Sequence, residues 1–463
     1  MVSLRVVLIS TYELGRQPFG LASPAAWLRA AGAAVTCLDL ALERLDEAAV
    51  AAADLVAFHV PMHTATRLAA SFVDRITRIN PNAHLCFYGL YAPVNEEYLR
   101  GLGAGTILGG EFEEGLVALT KRLSARDQPL LPARPQPEPT ISLAKQRFLV
   151  PDRGHLPALQ QYAHVKLPGG GARVVGYTEA SRGCKNLCRH CPIVPVYGGR
   201  FFVVQPDVVL EDVARQVAAG AQHITFGDPD FFNGPTHAMR IVEELHRRFP
   251  HLTYDVTTKV EHLLKHARHL PGLRDSGCLF VTSAVEAVDD HILEIFDKHH
   301  TRQDFARVVS LFRETGLNLN PTFVTFNPWI SLAGYRDLLT TLLELDLIGN
   351  VSPIQYAIRL LIPRGSRLLE LPLVQEFVGE FDSAALAYPW THPDPRVDRL
   401  HEDILAVVGG NQTDAEDRYA LFARVWNLTE AAREATASDP FALFSTGVLS
   451  REPIPHLSEP WYC

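Results

Sequence analysis

Short apolar runs alternate with amphipathic stretches along the first 123 residues. LRVVLIS (4–10), AVTCLDL (34–40), DLVAFHV (54–60), HLCFYG (84–89) and GTILGG (105–110) read as strands. Runs this continuously apolar suit strands covered on both faces. Residues 23–32, 64–79, 95–101 and 111–123 read as helices, with Ser23 expected as the N-cap of the first, Pro24 at its first helical position and Gly32 as its stop. The alternation predicts an α/β fold that begins with a doubly wound, flavodoxin-like parallel sheet over residues 1–123. Ligands of such sheets sit at the carboxyl ends of the strands, which here read STYELG, HVPMHT, YGLYAP and GGEFEE.

The pattern breaks over residues 124–170. QPLLPARPQPEP holds five prolines, which can continue neither a helix nor an inner strand, so a semi-rigid linker is expected. Alternation restarts over 171–380. VVGYTEA (174–180), HITFGD (223–228), LTYDVTT (252–258), CLFVTSAVE (278–286), LNPTFVTF (319–326) and IQYAIRLLI (354–362) read as strands. Helical stretches at 207–219, 235–248, 261–269, 289–315 and 332–346 separate them. Six βα units suit a partial TIM-like barrel, whose chemistry gathers at the strand carboxyl ends. Residues 381–463 read as loop (YPWTHPDP) and then helix.

Composition narrows the classes. An apolar fraction of 47 % over 463 residues fills several cores and excludes global disorder. A formal net charge of −9 without a Lys/Arg stripe argues against a nucleic-acid partner and against attraction to anionic membranes. No apolar run approaches the ~18 residues of a spanning helix, and MVSLRVVLISTYELG reads as a strand rather than a signal peptide. Seven cysteines, an odd and mostly scattered set, argue against a disulfide framework and for a reducing cytoplasm. Cys37, Cys86 and Cys278 lie in strand-like runs and are expected to be inert core residues.

The other candidate chemistry is SRGCKNLCRHCP (181–192), where Cys184, Cys188 and Cys191 fall in a turn-rich loop after the first barrel strand. A structural zinc site needs four ligands, and the chain offers no second CxxC; His190, next to Cys191, would point elsewhere. An iron–sulfur cubane takes thiolates at its corners, and three cysteines would leave one iron open to a small molecule. The residues alone leave zinc, a cluster and a chance grouping open.

C-x3-C-x2-C in this position resembles the radical S-adenosylmethionine (SAM) superfamily. The resemblance implies a [4Fe–4S] cluster on Cys184, Cys188 and Cys191, SAM bound to the open iron, and reductive cleavage of SAM to a 5′-deoxyadenosyl radical. His190 would pack near adenine. Gly227, Asp228 and Asp230 of FGDPDFFNG stand where the superfamily binds the methionine ammonium. Ser283 and Glu286 of TSAVEA would meet the ribose or carboxylate, and Pro363 and Gly365 shape the sixth-strand exit. Lys259 and Arg359 are further strand-end charges. Among Glu286, Asp228, Lys259 and Tyr356 no general base stands out, so the catalytic residues remain open.

A doubly wound domain ahead of such a barrel is similar to the cobalamin-binding subclass. That likeness implies corrin contacts from Thr11, Glu13, His59, His63, Gly89, Gly110 and Glu111, although the Asp-x-His-x-x-Gly signature of cobalt-ligating domains is absent. It implies methyl transfer to an unactivated carbon, or phosphorus, of a small-molecule or peptide substrate. It also implies an electron donor such as flavodoxin or ferredoxin. The alternatives are radical rearrangement or oxidation with a front domain that binds no cobalamin, and a non-catalytic metal-binding interaction protein. The terminal WYC resembles a radical SAM group named for a Cys-Cys-Ala-Glu-Pro or Cys-selenocysteine-Ala-Glu-Pro tail. On that reading Cys463 is half of a redox pair cut short at a selenocysteine codon.

Overall fold

The computed structural model describes residues 3–125, 137–409, 418–436, 439–443 and 453–459. Cys463 and the proline-rich stretch 126–136 lie outside the described residues. The first sheet comprises β1 (Arg5–Ser10), β2 (Ala34–Asp39), β3 (Leu55–His59), β4 (His84–Tyr88), β5 (Thr106–Gly110) and the short β6 (Ile141–Ser142), in the order β2-β1-β3-β4-β5-β6. Every pairing is parallel. Two apolar layers follow from the strand alternation: Val7, Ile9, Val56 and Phe58 face one, and Val6, Leu8, Leu55 and Ala57 the other. This is why the strands read as continuous apolar runs.

The first helix, Phe19–Ala30, begins four residues earlier than the sequence predicts. Ser23 is therefore no N-cap; its hydroxyl donates to Glu113 at 2.7 Å. Pro24 stands inside the helix and cannot donate to the Gly20 carbonyl. The buried Tyr88 hydroxyl supplies the missing donor at 2.8 Å, so a residue on β4 repairs a break that local sequence would place there.

The second sheet comprises β7 (His164–Lys166), β8 (Ala172–Thr178), β11 (His223–Phe226), β12 (Thr253–Thr257), β13 (Cys278–Glu286), β14 (Asn318–Phe323) and β15 (His456–Leu457). Its order is β14-β13-β12-β11-β8-β7-β15. The run β8 to β14 is parallel, and β7 and β15 pair antiparallel at its edge. Between β8 and β11 a small hairpin, β9 (Ser181–Gly183) with β10 (Phe201–Val203), frames the cysteine loop. Predicted strand 354–362 is reduced to a 3-10 turn at Pro353–Tyr356 and one parallel bridge, Phe326 to Arg359. Arg359 instead pairs with Asp398 at 2.8 Å and lies over the Trp390 ring. The predicted helix 289–315 is two helices, Asp290–Phe296 and Arg302–Thr315. The break between them holds Asp297 and His299 at positive φ. Helices Pro395–Gly409 and Arg418–Ala432 pack beyond the open edge of the barrel. Among the described residues no helix is long and apolar enough to cross a membrane.

The two sheets share a seam of apolar contacts and buried ion pairs. Tyr91–Val94, after β4, packs on Val194–Tyr197, directly after the cysteine loop, through Val94, Val196 and Tyr197. The carboxyl edge of the first sheet is thereby held against that loop.

Candidate active site

β9 delivers Arg182 and Gly183 to the loop that carries the three cysteines. Gly183 has φ +72°, and a Cβ there would meet Tyr197 at 2.4 Å and the Arg200 carbonyl at 2.5 Å, so the turn into the loop requires glycine. Cys184 and Cys188 are buried and Cys191 is half-buried. Burial raises the Cys191 thiol to about 12, with the neighbouring Cys188 and Cys184 adding to the effect. The three thiols thus sense one another. Yet among the described residues no three His, Cys, Asp or Glu side chains converge tightly enough for a single metal ion.

Around the loop, the carboxyl ends of β11, β12 and β13 present buried polar atoms that lack hydrogen-bond partners. They are Asp230 Oδ2, Asn233 Nδ2, Thr258 Oγ1, His262 Nδ1, Ser283 Oγ and both ring nitrogens of His300, together with Nδ1 of His190. His262 Nδ1 lies 2.6 Å from Asp230 Oδ2 but off the hydrogen-bonding line, so the contact is electrostatic. Buried polar groups are ordinarily paired. So many orphans at one end of one barrel mark a place shaped for a polar ligand.

Glu286 ends β13 with φ +70°. Its carboxylate is 3.1 Å from both Lys298 Nζ and His190 Nε2. Burial would raise its pKa, but Lys298 and His190 outweigh burial and hold it at about 2. Lys298, 3 % exposed, also feels the Cys188 and Cys191 thiols. The His190 ring packs on Phe296 at 4.6 Å. Burial, then Lys298 and Lys259, lower His300 to about 4, so it is neutral at pH 7. Asp228 accepts from the Ala180 N–H at 2.9 Å and the Ser181 hydroxyl at 2.5 Å, and burial raises it to about 7. It braces the start of the cysteine loop. Asp230 caps the turn Phe231–Asn233. Gly227 leaves room for the Tyr177 hydroxyl, which a Cβ would meet at 1.7 Å. Lys259, also buried, reaches Glu261 at 3.3 Å. Tyr356 is buried behind the barrel against Phe422.

On the first sheet the candidate residues turn largely to protein partners. Thr11 donates to the Ala65 carbonyl at 2.9 Å, and His59 Nδ1 meets Glu13 at 2.7 Å. Gly20 and Gly89 make room for the His59 ring, which a Cβ at Gly20 would strike at 1.9 Å. His63 Nε2 bonds the Ala385 carbonyl at 2.5 Å. Gly110 lets the backbone pass the Ser142 carbonyl, 2.3 Å from an added Cβ. Glu111, pushed up to about 7 chiefly by burial, lies 3.4 Å from Arg182 and accepts from Tyr197. Glu113 pairs with the same Arg182 at 2.7 Å. The GEFEE segment therefore clasps the base of the cysteine loop.

Arg182, Glu113, Thr258, Lys298 and His300 were not legible as site residues. Arg182, Glu113 and Lys298 owe their places to partners on other elements, while Thr258 Oγ1 and the His300 ring nitrogens stand buried without a partner.

In sequence, residues 178–329 match the Radical SAM superfamily model. Ribosomal protein uS12 methylthiotransferase RimO of Bacteroides fragilis is 23 % identical over 181 residues, covering 35 % of this chain and 39 % of that protein. tRNA-2-methylthio-N(6)-dimethylallyladenosine synthase of Desulfosudis oleivorans is 25 % identical over 204 residues, 42 % of each chain. These matches span about two fifths of the curated relatives. Among solved structures, the cobalamin-dependent SAM radical enzyme OxsB, with aqua-cobalamin and SAM bound, superposes with TM-score 0.71 at 14 % identity over 93 % of this chain and 72 % of that one. The radical SAM methyltransferase TsrM of Kitasatospora setae, with tryptophan and a SAM analogue bound, does so with TM-score 0.65 at 15 % identity over 95 % and 97 %. A cysteine loop after the first barrel strand, unpaired polar groups at the strand ends, and a family match over the same residues together identify residues 178–329 as a radical SAM domain.

Proposed function

We propose that this chain is a cobalamin-dependent radical SAM enzyme that transfers a methyl group to a small-molecule or peptide substrate. The observation that carries the reading is the ring of unpaired buried polar atoms facing the cysteine loop. Its donor set fits the expected groups: Cys184, Cys188 and Cys191 would hold the cluster, and Asp230, Ser283, Glu286 and His190 would meet SAM. A cluster and SAM supply a one-electron route to an organic radical, and cobalamin supplies a methyl carrier.

The chain's own residues perform the positioning. Asp228 holds the loop entrance through Ala180 and Ser181. Glu286 stays ionised at neutral pH because Lys298 and His190 flank it, which suits it to accept hydroxyl or ammonium protons. The burial of His300, Thr258 and Ser283 excludes water from a place where a radical would otherwise be quenched. The edge of the first sheet, held to the loop by Arg182, would hold the corrin, with His59 braced through Nδ1 by Glu13 and His63 engaged by the Ala385 carbonyl.

Anaerobic reconstitution tests this. Iron and sulfide should load in cubane proportion, corrin should co-purify, and SAM should yield 5′-deoxyadenosine or S-adenosylhomocysteine. All three cysteines changed to alanine should abolish iron uptake. Stoichiometric zinc without sulfide would refute the reading. A product heavier by CH2S rather than CH2 would place the chain with the methylthiotransferases it aligns with.

A further inference from the structure

One cation at the junction of the two sheets has no counter-ion. Arg16 lies in the loop after β1, and its guanidinium sits over the Tyr177 ring of β8, 5.0 Å from the ring centre. Its Nε is buried without a hydrogen-bond partner, and among the described residues no carboxylate pairs with it. The acids beside it are already engaged. Glu13, whose carbonyl accepts from the Arg16 N–H at 3.0 Å, pairs with His59 at 2.7 Å. Glu179, which accepts from the Tyr177 hydroxyl at 3.4 Å, pairs with Arg182 at 2.7 Å. The loop is built to hold Arg16 still. Leu14 and Gly15 take positive φ, +53° and +65°, and a leucine keeps that strain only where its surroundings enforce it. The Gly15 carbonyl accepts from the Ala163 N–H at 2.8 Å, and the Gln17 side chain bonds the Pro157 carbonyl at 2.9 Å and Arg153 at 3.0 Å. A Cβ on Gly15 would meet Glu459, beyond β15, at 2.9 Å. Tyr177 reaches from this loop to Gly227, where its hydroxyl fills the space of a Cβ, one residue before Asp228. Arg16 and Tyr177 are both half-buried. The unpaired cation therefore stands against a barrel residue that borders the segment assigned to SAM.

We propose that Arg16 binds a carboxylate of the substrate and so selects an acidic molecule over its neutral analogue. The inference deepens the function proposed above and rests on it. A partly buried guanidinium that no protein acid neutralises is completed by an anion brought from outside, because an unpaired charge is costly away from water. The Tyr177 ring fixes its plane without satisfying its donors, which leaves them for a ligand. One guanidinium matches one negative charge. A phosphate dianion would want a second cation, and here Glu13 and Glu179 would repel it. A rigid loop suits this task, since a recognition group held in place loses little freedom when its ligand arrives.

The test uses the full-length reconstituted protein and three aromatic probes, benzoate, its neutral analogue benzamide, and phenyl phosphate, each followed by isothermal titration calorimetry. Benzoate should bind about tenfold more tightly than benzamide. Arg16→Gln should erase that preference, Arg16→Lys should keep part of it, and the corrin content of both variants should match that of the wild type. Equal binding of benzoate and benzamide, binding of neither, or a preference that survives in Arg16→Gln would overturn the proposal. So would tighter binding of phenyl phosphate than of benzoate. Loss of corrin from Arg16→Gln would overturn it as well, by giving the guanidinium to the cofactor. Wild-type protein that takes up neither iron nor corrin would instead count against the proposed function itself.

Discussion

Replacing Arg182 by methionine probes the seam on which both sheets depend. Its guanidinium, 6 % exposed, meets Glu113 and Glu179 at 2.7 Å and Glu111 at 3.4 Å. The rings of Phe148, Phe112 and Phe19 enclose it at 4.8, 5.5 and 5.6 Å. Methionine keeps the apolar stem but strands the carboxylates, and removing one member of a buried ion cluster costs about 3–5 kcal/mol. The loss should depend on pH in a definite sense. In the wild type, burial would raise Glu113, but Arg182 outweighs it and holds the group below the usual carboxylate range. Without Arg182, burial should raise its folded pKa above the unfolded value. The folded variant then binds protons that the unfolded chain releases, so its stability falls as pH rises through and above ~4.5. Thermal unfolding of the metal-free protein by circular dichroism at pH 5.5 and pH 8.5 reads this directly. The deficit relative to wild type should be larger at pH 8.5, and adding Glu113→Gln should recover part of it. Equal deficits at both pH values would refute the reasoning, leaving ring packing as the role of Arg182.

Other expectations follow from single contacts. Glu286→Gln leaves Lys298 buried without a counter-ion and should cost about 3–5 kcal/mol at pH 7 by denaturant unfolding. Because the folded Glu286 pKa is depressed to about 2, that deficit should fade as pH falls from ~4.5 towards 2. Gly227→Ala drives a methyl into the Tyr177 hydroxyl and should cost about 1–3 kcal/mol, measured as a lowered thermal midpoint. Tyr88→Phe strips the Gly20 carbonyl of its donor and should cost about 1–3 kcal/mol. Adding Pro24→Ala, whose N–H can reach the same carbonyl, should restore it.

The periodicities that shape each sheet are local and survive in the sequence. β1 to β5, β8 and β11 to β14 fall within about three residues of apolar runs visible in the sequence, whereas the small hairpin of β9 and β10 was not among them. The cysteine loop is equally legible, because three thiols in one turn need nothing remote to be noticed. Legibility ends where a group's state depends on a distant partner. Pro24 reads as a helix start until Tyr88, 68 residues past Gly20, supplies the donor that lets the helix begin earlier. Residues 354–362 have the pattern of a strand, but Arg359 is drawn to Asp398 and Trp390, and the ladder stops at one bridge.

The same distinction separates the two kinds of acidic residue at the seam and in the barrel. Glu111 and Glu286 look alike in sequence, each ending a strand, yet one is raised to about 7 and the other held at about 2. Both are buried, so burial alone cannot separate them. Glu286 has Lys298 and His190 to itself. Glu111 competes with Glu113 and Glu179 for a single arginine at 3.4 Å, farther than either rival. The ratio of buried cations to buried acids therefore sets which carboxyl stays charged and faces a ligand, and which is left near neutrality to join two sheets. Arg182, two residues before Cys184, belongs to both arrangements at once. A change in the first sheet that moved Glu113 would thus be felt at the cysteine loop without any intervening conformational relay.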